Sequence, residues 1–183
     1  MKELSLNILD VAKNSVKANA ANIAIKLNET AEKLTLTIED DGCGMSEETV
    51  KNVMNPFFTT RTTRNVGLGI PLLKLAAEQT GGGMEIRSVS AEDNPESHGT
   101  VVTAEFFKNH LDFTPLGDII STVTALIMGS PDIEWLFEHN FESAQVKLDT
   151  RELREVLGEV PLDNYEVICW IEEYLKEGYA SIQ

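Results

Sequence analysis

Apolar residues recur at two different spacings in the first part of the chain, and each spacing predicts a type of secondary structure. Segments 22–27 and 33–39 alternate apolar and polar side chains on either side of a polar loop, which indicates an antiparallel hairpin with one buried face. Ahead of the hairpin, residues 4–20 show three- and four-residue spacing, which predicts an amphipathic helix. The predicted buried face of this helix consists of Leu4, Ile8, Val11, Ala12 and Ser15.

The same two spacings continue after the hairpin. Ser46 is a favourable N-cap for a short helix that should end before Pro56, because the residue preceding a proline disfavours helical conformation. Helical spacing returns over residues 70–79, and alternation returns over 84–89 and 100–106. The pattern up to Lys108 therefore predicts one mixed α/β unit.

A second set of elements follows Lys108. Thr114 followed by Pro115 predicts the start of a helix that ends at Gly129. The later elements predicted are strands at 133–137 and 146–148, a helix capped by Thr150 that runs to Gly158, and a helix at 165–176. We recognise no chemical motif in this part, so residues 109–183 are predicted to form a small α/β subdomain that packs on the first unit or on a partner.

Charge distinguishes the two parts of the chain. The net charge is −15. Free nucleic acid is therefore not expected as a partner, because its polyanionic backbone would be repelled. Residues 1–108 carry 11 basic and 15 acidic side chains, whereas residues 109–183 carry 4 and 15. This shift supports a domain boundary between 108 and 109, with an N-terminal unit (1–108) and an acidic C-terminal unit (109–183).

Composition also narrows the location and the metal chemistry. No apolar run approaches the roughly 20 residues needed to span a bilayer, and the N-terminus lacks the apolar core of a signal peptide. These features predict a cytoplasmic protein with no membrane contact. The 2 cysteines and 3 histidines show no spacing typical of a metal site.

The candidate chemistry lies around residue 40. The second predicted strand leads into Asp40, and Gly42 and Gly44 follow, so that a ligand could approach the backbone closely. Gly67 and Gly69 precede the helix at 70–79, where unpaired N–H groups and the helix dipole favour phosphate. The spacing matches neither the P-loop nor the dinucleotide-binding glycine pattern, yet it indicates a nucleotide pocket.

Four motifs in order identify a family resemblance over residues 4–108. They are Asp10-x-x-x-Asn14-Ser15, Asp40-x-Gly42-x-Gly44, Gly67-Leu68-Gly69 and Gly99-Thr100. In this order they resemble the GHKL superfamily, which comprises gyrase-type ATPases, heat-shock chaperones, histidine kinases and mismatch-repair ATPases. The resemblance implies the Bergerat fold, a two-layer α/β sandwich in which helices cover one face of a mixed sheet, and it implies binding of ATP with Mg²⁺.

The resemblance also implies roles for individual residues. Asp40 would accept a hydrogen bond from the adenine amine, supported by the Thr100 hydroxyl, and Asn14 would hold the Mg²⁺ that bridges the phosphates. Asp10 occupies the place of the general base, which is glutamate in gyrase-like ATPases and anti-sigma-factor serine kinases, and its side chain is one methylene shorter. The backbone of two glycine motifs would contact the nucleotide, namely at Gly42, Gly44, Gly67, Leu68 and Gly69.

A further stretch resembles a mobile ATP lid. Residues 56–61, Pro-Phe-Phe-Thr-Thr-Arg, are similar to the F-box of nitrogen-regulatory-type histidine kinases, with Phe57 and Phe58 as lid anchors. By this similarity Thr60, Arg61 and Arg64 are candidates for phosphate binding, since arginine donates two parallel hydrogen bonds to phosphate. For Arg64, simple solvation remains an equal alternative.

Two functions follow from these expectations. The first is a histidine-kinase-like ATPase or protein kinase that acts on a partner protein, because the short stretch ahead of Asn14 leaves no room for a phosphoacceptor histidine domain. Transfer to serine stays open, as does a homodimer. The second is a nucleotide-sensing module with little or no catalysis, which would signal to a larger complex through the position of its lid.

Overall fold

The protein is built on one six-stranded mixed sheet. A computed structural model describes residues 3–55 and 68–182. The strands are β1 (Asn22–Glu29), β2 (Lys33–Asp40), β3 (Gly83–Val89), β4 (Gly99–Phe107), β5 (Glu134–Asn140) and β6 (Gln145–Asp149). Their order across the sheet is β3-β4-β2-β1-β5-β6. Strand β5 runs parallel to β1, and all other neighbours are antiparallel.

Four long helices form a layer on one face of this sheet. The helices of the described residues are α1 (Leu4–Lys17), α2 (Glu47–Val53), α3 (Gly69–Gln79), α4 (Ile119–Gly129), α5 (Thr150–Leu157) and α6 (Tyr165–Ala180). Helix α1 packs between α3 and α4, and α4 packs against α6. The predicted two-layer α/β architecture with helices on one face is therefore confirmed.

The alternation read from the sequence corresponds to the two faces of the sheet. All five residues predicted for the inner face of α1 are buried, and they meet the buried face of the hairpin. The buried strand residues at the centre of the core are Ile23, Ile25, Leu27, Leu34, Leu36, Ile38, Val102, Ala104 and Phe106. The opposite face is polar and carries ion pairs such as Lys26–Glu39 (3.2 Å) and Lys33–Glu105 (2.9 Å).

The C-terminal segment extends the same sheet. Strand β5 pairs with β1 from Asn22↔Glu134 to Asn28↔Asn140, and its inward side chains Trp135 and Phe137 join the shared hydrophobic core. The predicted strands and helices of residues 109–183 are present, and they continue the layers of the N-terminal segment. The domain boundary at 108/109 remains a prediction.

A buried polar cluster links the two segments. The His139 ring is almost fully buried, with Nδ1 2.9 Å from the Tyr179 hydroxyl and Nε2 2.9 Å from a carboxylate oxygen of Glu29. The other oxygen of Glu29 accepts a hydrogen bond from Lys108 at 2.6 Å. Burial lowers the pKa of His139 below its ordinary value, even though the Glu29 carboxylate acts in the opposite direction.

Two predicted helix starts are wrong. Helix α4 begins at Ile119 with Asp118 as its cap, because the carbonyls of Pro115 and Leu116 accept hydrogen bonds from Leu4 and Ser5 and so cap α1 instead. Helix α5 is capped by the Asp149 carboxylate, while the Thr150 hydroxyl accepts from the Trp135 backbone and donates to Glu134. By contrast, the predicted cap at Ser46 is confirmed by its hydrogen bond from Thr49 N–H.

The helices of residues 3–55 and 68–182 are all too short or too polar to cross a bilayer.

Candidate functional site

A pocket of about 270 Å³ lies between α1, the turn after β2 and the first turn of α3. It brings together residues from three of the four sequence motifs, including Asn14, Asp40, Gly44 and Thr100. The rest of its wall is mostly apolar, formed by Val11, Ala18, Met45, Val53, Ile70 and Val102, together with Ser15, Lys17 and Cys43. An apolar slot with a single carboxylate suits a flat heteroaromatic ring that carries an amine.

The Asp40 carboxylate is held in a fixed orientation at the end of β2. The Ser15 hydroxyl donates to Oδ2 at 2.5 Å, and the Gly42 N–H donates to Oδ1 at 3.0 Å. Both neighbours are donors, so the carboxylate presents its remaining lone pairs to the pocket and can receive a further N–H donor. This geometry is what recognition of an exocyclic amine requires.

The glycine turn after Asp40 forms backbone hydrogen bonds with the end of α1 and with the loop after β3. Cys43 N–H donates to the Ala18 carbonyl at the end of α1 (2.9 Å), and the Cys43 carbonyl accepts from Ala91 N–H (2.8 Å). Gly44 has φ +66°, and a Cβ there would lie 1.9 Å from the Val89 carbonyl oxygen. Only glycine fits this position, because both the conformation and the space exclude a side chain.

Asp41 faces away from the pocket and serves the fold. Its carboxylate accepts hydrogen bonds from Ala21 N–H, Asn22 N–H and the Asn22 amide, at 2.7 to 2.9 Å. Partial burial disfavours the charged form, but these hydrogen bonds outweigh it and lower the pKa of Asp41. These contacts make Asp41 a structural residue of the turn after β2.

Thr100 lies opposite Asp40 in the sheet register, but its hydroxyl has a different partner from the one expected. It lies 2.8 Å from the Ser88 hydroxyl, which also contacts the Gly99 carbonyl and accepts from Met45 N–H. The hydroxyl bonded to Asp40 is that of Ser15, because α1 passes directly beside the end of β2. Thr100 lines the pocket and ties β4 to β3.

Asn14 and Asp10 lie one helical turn apart on α1 but in different surroundings. Asn14 is half-buried in the pocket wall, and within the described part of the chain its side-chain amide makes no hydrogen bond. Asp10 is exposed at the start of α3, where a Cβ on Gly69 would lie 2.9 Å from the Asp10 Cβ. Gly69 therefore allows the N-terminus of α3 to approach Asp10 closely, next to the exposed Leu68.

The Asn14 amide fits a magnesium ion that arrives with its nucleotide. Among residues 3–55 and 68–182 there is no cluster of three carboxylate, histidine or cysteine ligands. Mg²⁺ commonly uses one or two protein oxygens and completes its octahedron with phosphates and water. A single free amide oxygen at the pocket wall meets that requirement.

Sequence reasoning missed three contributors to the site. The sequence pattern places Ser15 on the buried face of α1 and Ser88 within the predicted strand 84–89, and it indicates no role for His98. His98 Nδ1 lies 2.5 Å from the Gly42 carbonyl and so contacts the glycine turn. Only Ser15 carried a signal, since it is adjacent to Asn14 in the first motif.

Some predicted site residues lie outside the described residues. These are Thr60, Arg61, Arg64 and Gly67, together with the proposed lid anchors Phe57 and Phe58. Their roles remain predictions.

Comparison with known sequences supports the family resemblance that the four motifs indicate. Residues 2–110 match the family model described as histidine kinase-, DNA gyrase B-, and HSP90-like ATPase. The nitrogen regulation protein NtrY of Azorhizobium caulinodans is 30% identical over 51% of this chain and 12% of its own length. The sensor histidine kinase CpxA of Escherichia coli K12 is 28% identical over 47% of this chain and 19% of its own length. The chain thus matches less than a fifth of each of these two relatives.

Comparison with solved structures extends the similarity in fold beyond the family match. The match to the ATPase domain of Aquifex aeolicus MutL, complexed with ADP, covers 86% of this chain and 69% of the MutL chain, at a TM-score of 0.54 and 14% identity. The match to the N-terminal domain of a DNA repair protein covers 81% of this chain and 52% of the matched chain, at a TM-score of 0.58 and 14% identity. These likenesses concern the fold alone.

Proposed function

Because the chain belongs to the family of histidine kinase-, DNA gyrase B- and HSP90-like ATPases, we propose that its pocket binds ATP with Mg²⁺ and supports phosphoryl transfer or hydrolysis. The adenine amine would donate to Asp40, and the Asn14 amide oxygen would hold the metal. When bound, Mg²⁺ neutralises charge on the β- and γ-phosphates.

One observation carries this proposal. The Asp40 carboxylate is fixed by two donors, Ser15 and Gly42, in a largely apolar pocket. A guanine carbonyl in place of the adenine amine would set two acceptors against each other, and a buried unpaired acceptor costs about 1–3 kcal/mol. The site therefore favours ATP over GTP.

The position of Asp10 supports a catalytic role. Its carboxylate stands at the exposed junction of α1 and α3, one turn before Asn14, where it could orient a water molecule or an acceptor hydroxyl. We propose that any acceptor lies on a partner protein and that the reaction takes place in the cytoplasm. The histidines of this chain have other contacts: His98 with Gly42, His139 in the buried cluster and His110 with Asp112.

A second candidate function is a nucleotide sensor with little turnover. It is favoured by the identity of the proposed base, because an aspartate reaches one methylene less far than glutamate. In such a protein ATP occupancy alone would signal to a partner.

Turnover by three proteins distinguishes the two functions. Phosphate release and transfer of ³²P from labelled ATP are measured for the parent protein, Asp10→Asn and Asp10→Glu, with and without partner candidates. If Asp10 is the base, Asp10→Asn keeps the nucleotide affinity and loses about 10²–10⁴-fold in turnover, and Asp10→Glu keeps or raises it.

Nucleotide binding is measured on the same samples by calorimetry. ATP binding with equal, negligible turnover in all three proteins would contradict the enzyme and leave the sensor. Absence of ATP binding by the parent would contradict both functions.

A further inference from the structure

A second concave surface lies at the far edge of the sheet from the glycine turn. It is a groove of about 640 Å³ between α5 and α6 beside the edge strand β6. Its lining shares no residue with the nucleotide pocket. We call it the α5–α6 groove.

The α5–α6 groove exposes large apolar and aromatic side chains to solvent. Val156, Trp170 and Tyr174 are 84%, 48% and 42% exposed, and they lie above the buried Leu153 and Val167. Large exposed apolar side chains scattered singly are ordinary, but a contiguous group in a concave surface marks a binding site.

The groove has the form that a helix would fit. Leu153, Val156 and Leu157 occupy positions i, i+3 and i+4 on α5, and Val167, Trp170 and Tyr174 occupy positions i, i+3 and i+7 on α6. Each helix therefore presents an apolar ridge to the groove, and a third helix could pack its own apolar stripe between the two ridges. The rings of Trp170 and Tyr174 are already stacked, with centroids 5.1 Å apart, so little side-chain freedom is lost on binding.

The groove is lined by three carboxylates, Asp149, Glu152 and Glu166, and by one cation, Lys147, which pairs with Glu152 at 2.8 Å. Residues 109–183 contain 15 acidic and 4 basic side chains, and each of the four cations already forms an ion pair within this segment. These pairs are Lys147–Glu152, Arg151–Asp149, Arg154–Glu134 and Lys176–Glu172. In the described part of the chain, six exposed carboxylates on or beside α5 and α6 have no ion-pair partner, namely Glu155, Glu159, Asp163, Glu166, Glu173 and Glu177.

We propose that the α5–α6 groove is the docking site for a cationic amphipathic helix of a partner protein. The helix places its apolar face over Val156, Trp170 and Tyr174, and its lysines and arginines meet the rim carboxylates. A second copy of this chain is the poorer occupant, because two surfaces of the same negative charge would be brought together. The same charge disfavours an anionic membrane surface.

A synthetic helical peptide of roughly 18 residues, about five turns, tests the proposal. It carries leucine on one face and lysine and arginine on the other, contains no tryptophan and bears a fluorescein label. The comparison peptide has the same composition in scrambled order. Binding to the full-length protein is followed by fluorescence anisotropy and by tryptophan emission, which reports on the groove because Trp170 is exposed while Trp135 is buried.

Each feature of the groove is removed separately and matched with a control. Val156→Ser with Tyr174→Ser removes apolar contacts, and Leu111→Ser changes an exposed apolar residue outside the groove. Glu155→Gln with Glu166→Gln removes two rim charges, and Glu92→Gln with Glu96→Gln removes two exposed charges from the loop between β3 and β4. Trp170→Phe keeps the ring and removes the optical signal.

The proposal expects saturable binding of the amphipathic peptide with a blue shift of tryptophan emission that Trp170→Phe abolishes. Both groove variants should weaken binding by about tenfold or more, and both controls should leave it unchanged. Equal binding of the scrambled peptide, equal binding by the groove variants, or no binding at all would overturn the proposal. So would sedimentation showing that the protein alone forms a dimer that Val156→Ser with Tyr174→Ser dissociates.

Discussion

Within the nucleotide pocket, single atoms of Asp40 decide what can bind. Its two oxygens accept from Ser15 and Gly42, so the whole carboxylate is committed to the acceptor role. An amide at this position offers one acceptor oxygen and one donor nitrogen. Whichever way an asparagine turned, its NH₂ group would face one of the two donors.

Asp40→Asn should therefore lower the affinity for ATP and for ADP. A donor facing the adenine amine, or a donor facing Ser15 or Gly42, costs roughly 1–3 kcal/mol, which corresponds to about 5- to 150-fold in Kd. Calorimetric titration of both nucleotides measures this loss. The matched control is Glu39→Gln, which makes the same chemical change at the preceding residue, where the side chain pairs with Lys26 instead.

Unchanged ATP affinity in Asp40→Asn, with the thermal midpoint of unfolding also unchanged, would contradict the adenine pocket. A large fall in the midpoint would show that the carboxylate mainly holds the turn after β2 in place.

Asn14→Ala is expected to affect binding through the metal. Its side-chain amide has no hydrogen bond with the described residues, so the substitution removes no hydrogen bond from that part of the protein. ATP affinity should fall several-fold in Mg²⁺ and stay nearly constant in EDTA, because the lost contact runs through the ion. Calorimetry in both buffers measures the difference, and an equal fall in both would show that Asn14 contacts the nucleotide directly.

Among the secondary-structure elements, the contacts between β1, β5 and α6 depend on a buried histidine. His139 on β5 meets Glu29 at the end of β1 and Tyr179 on α6, and its ring stacks on Phe141 at 4.1 Å. The charged groups that face it are Glu29 and Lys108, and burial also raises the pKa of the Tyr179 phenol. Burial lowers the pKa of His139 below its ordinary value and so favours the neutral ring in the folded protein.

The free energy of unfolding should fall as the pH drops below about 6.5. Because the pKa of His139 is lowered on folding, the unfolded chain binds a proton there at a higher pH than the folded protein does. The stability that neutral His139 provides is complete above the unfolded pKa and is lost progressively as the pH falls toward the folded pKa. Urea titrations at a series of pH values from 7.5 to 5.5 measure the slope.

His139→Gln provides the comparison. It should lower the free energy of unfolding by about 1–3 kcal/mol at pH 7, because a buried hydrogen-bond partner changes, and it should flatten the slope below pH 6.5. His110→Gln changes an exposed histidine and should leave the slope unaltered. If the His139→Gln and parent slopes agree, the acid sensitivity originates elsewhere.

In the molecule as a whole, the family-matched segment and the acidic segment form one sheet. Strand β5 covers the outer edge of β1 along seven register pairs, and α4 packs against α1. Without residues 109–183, the β1 edge and one side of α1 would be exposed to water. An unpaired, apolar strand edge promotes association with other chains.

A shortened protein of residues 1–108 should consequently be much less stable than the full chain. We expect its midpoint of thermal unfolding to fall by roughly 10 °C or more, since a loss of several kcal/mol has that effect in a protein of this size. Calorimetry and size-exclusion chromatography measure the midpoint and the association state. A monomeric fragment with an unchanged midpoint would contradict this expectation and establish 108/109 as a true domain boundary.

Local sequence determined a large part of the secondary structure and of the site. The hairpin, α1, α3 and the later strands follow from side-chain spacing, because the period of apolar residues depends on the backbone conformation alone. The order of four short motifs pointed to Asn14, Asp40, Gly44 and Thr100, and the structure places all four around one pocket. The Ser46 cap was equally readable, since a cap acts within one turn of the chain.

Only the tertiary structure decided the contacts between residues that are distant in sequence. Pro115 and Leu116 cap α1 rather than starting α4, and Ser15 rather than Thr100 bonds to Asp40. The acidic segment was predicted to pack on the first unit or on a partner, and the structure shows that β5 pairs with β1 in the same sheet. In each case the partner that decides the contact lies more than 20 residues away, and side-chain periodicity carries no information about which partner that is.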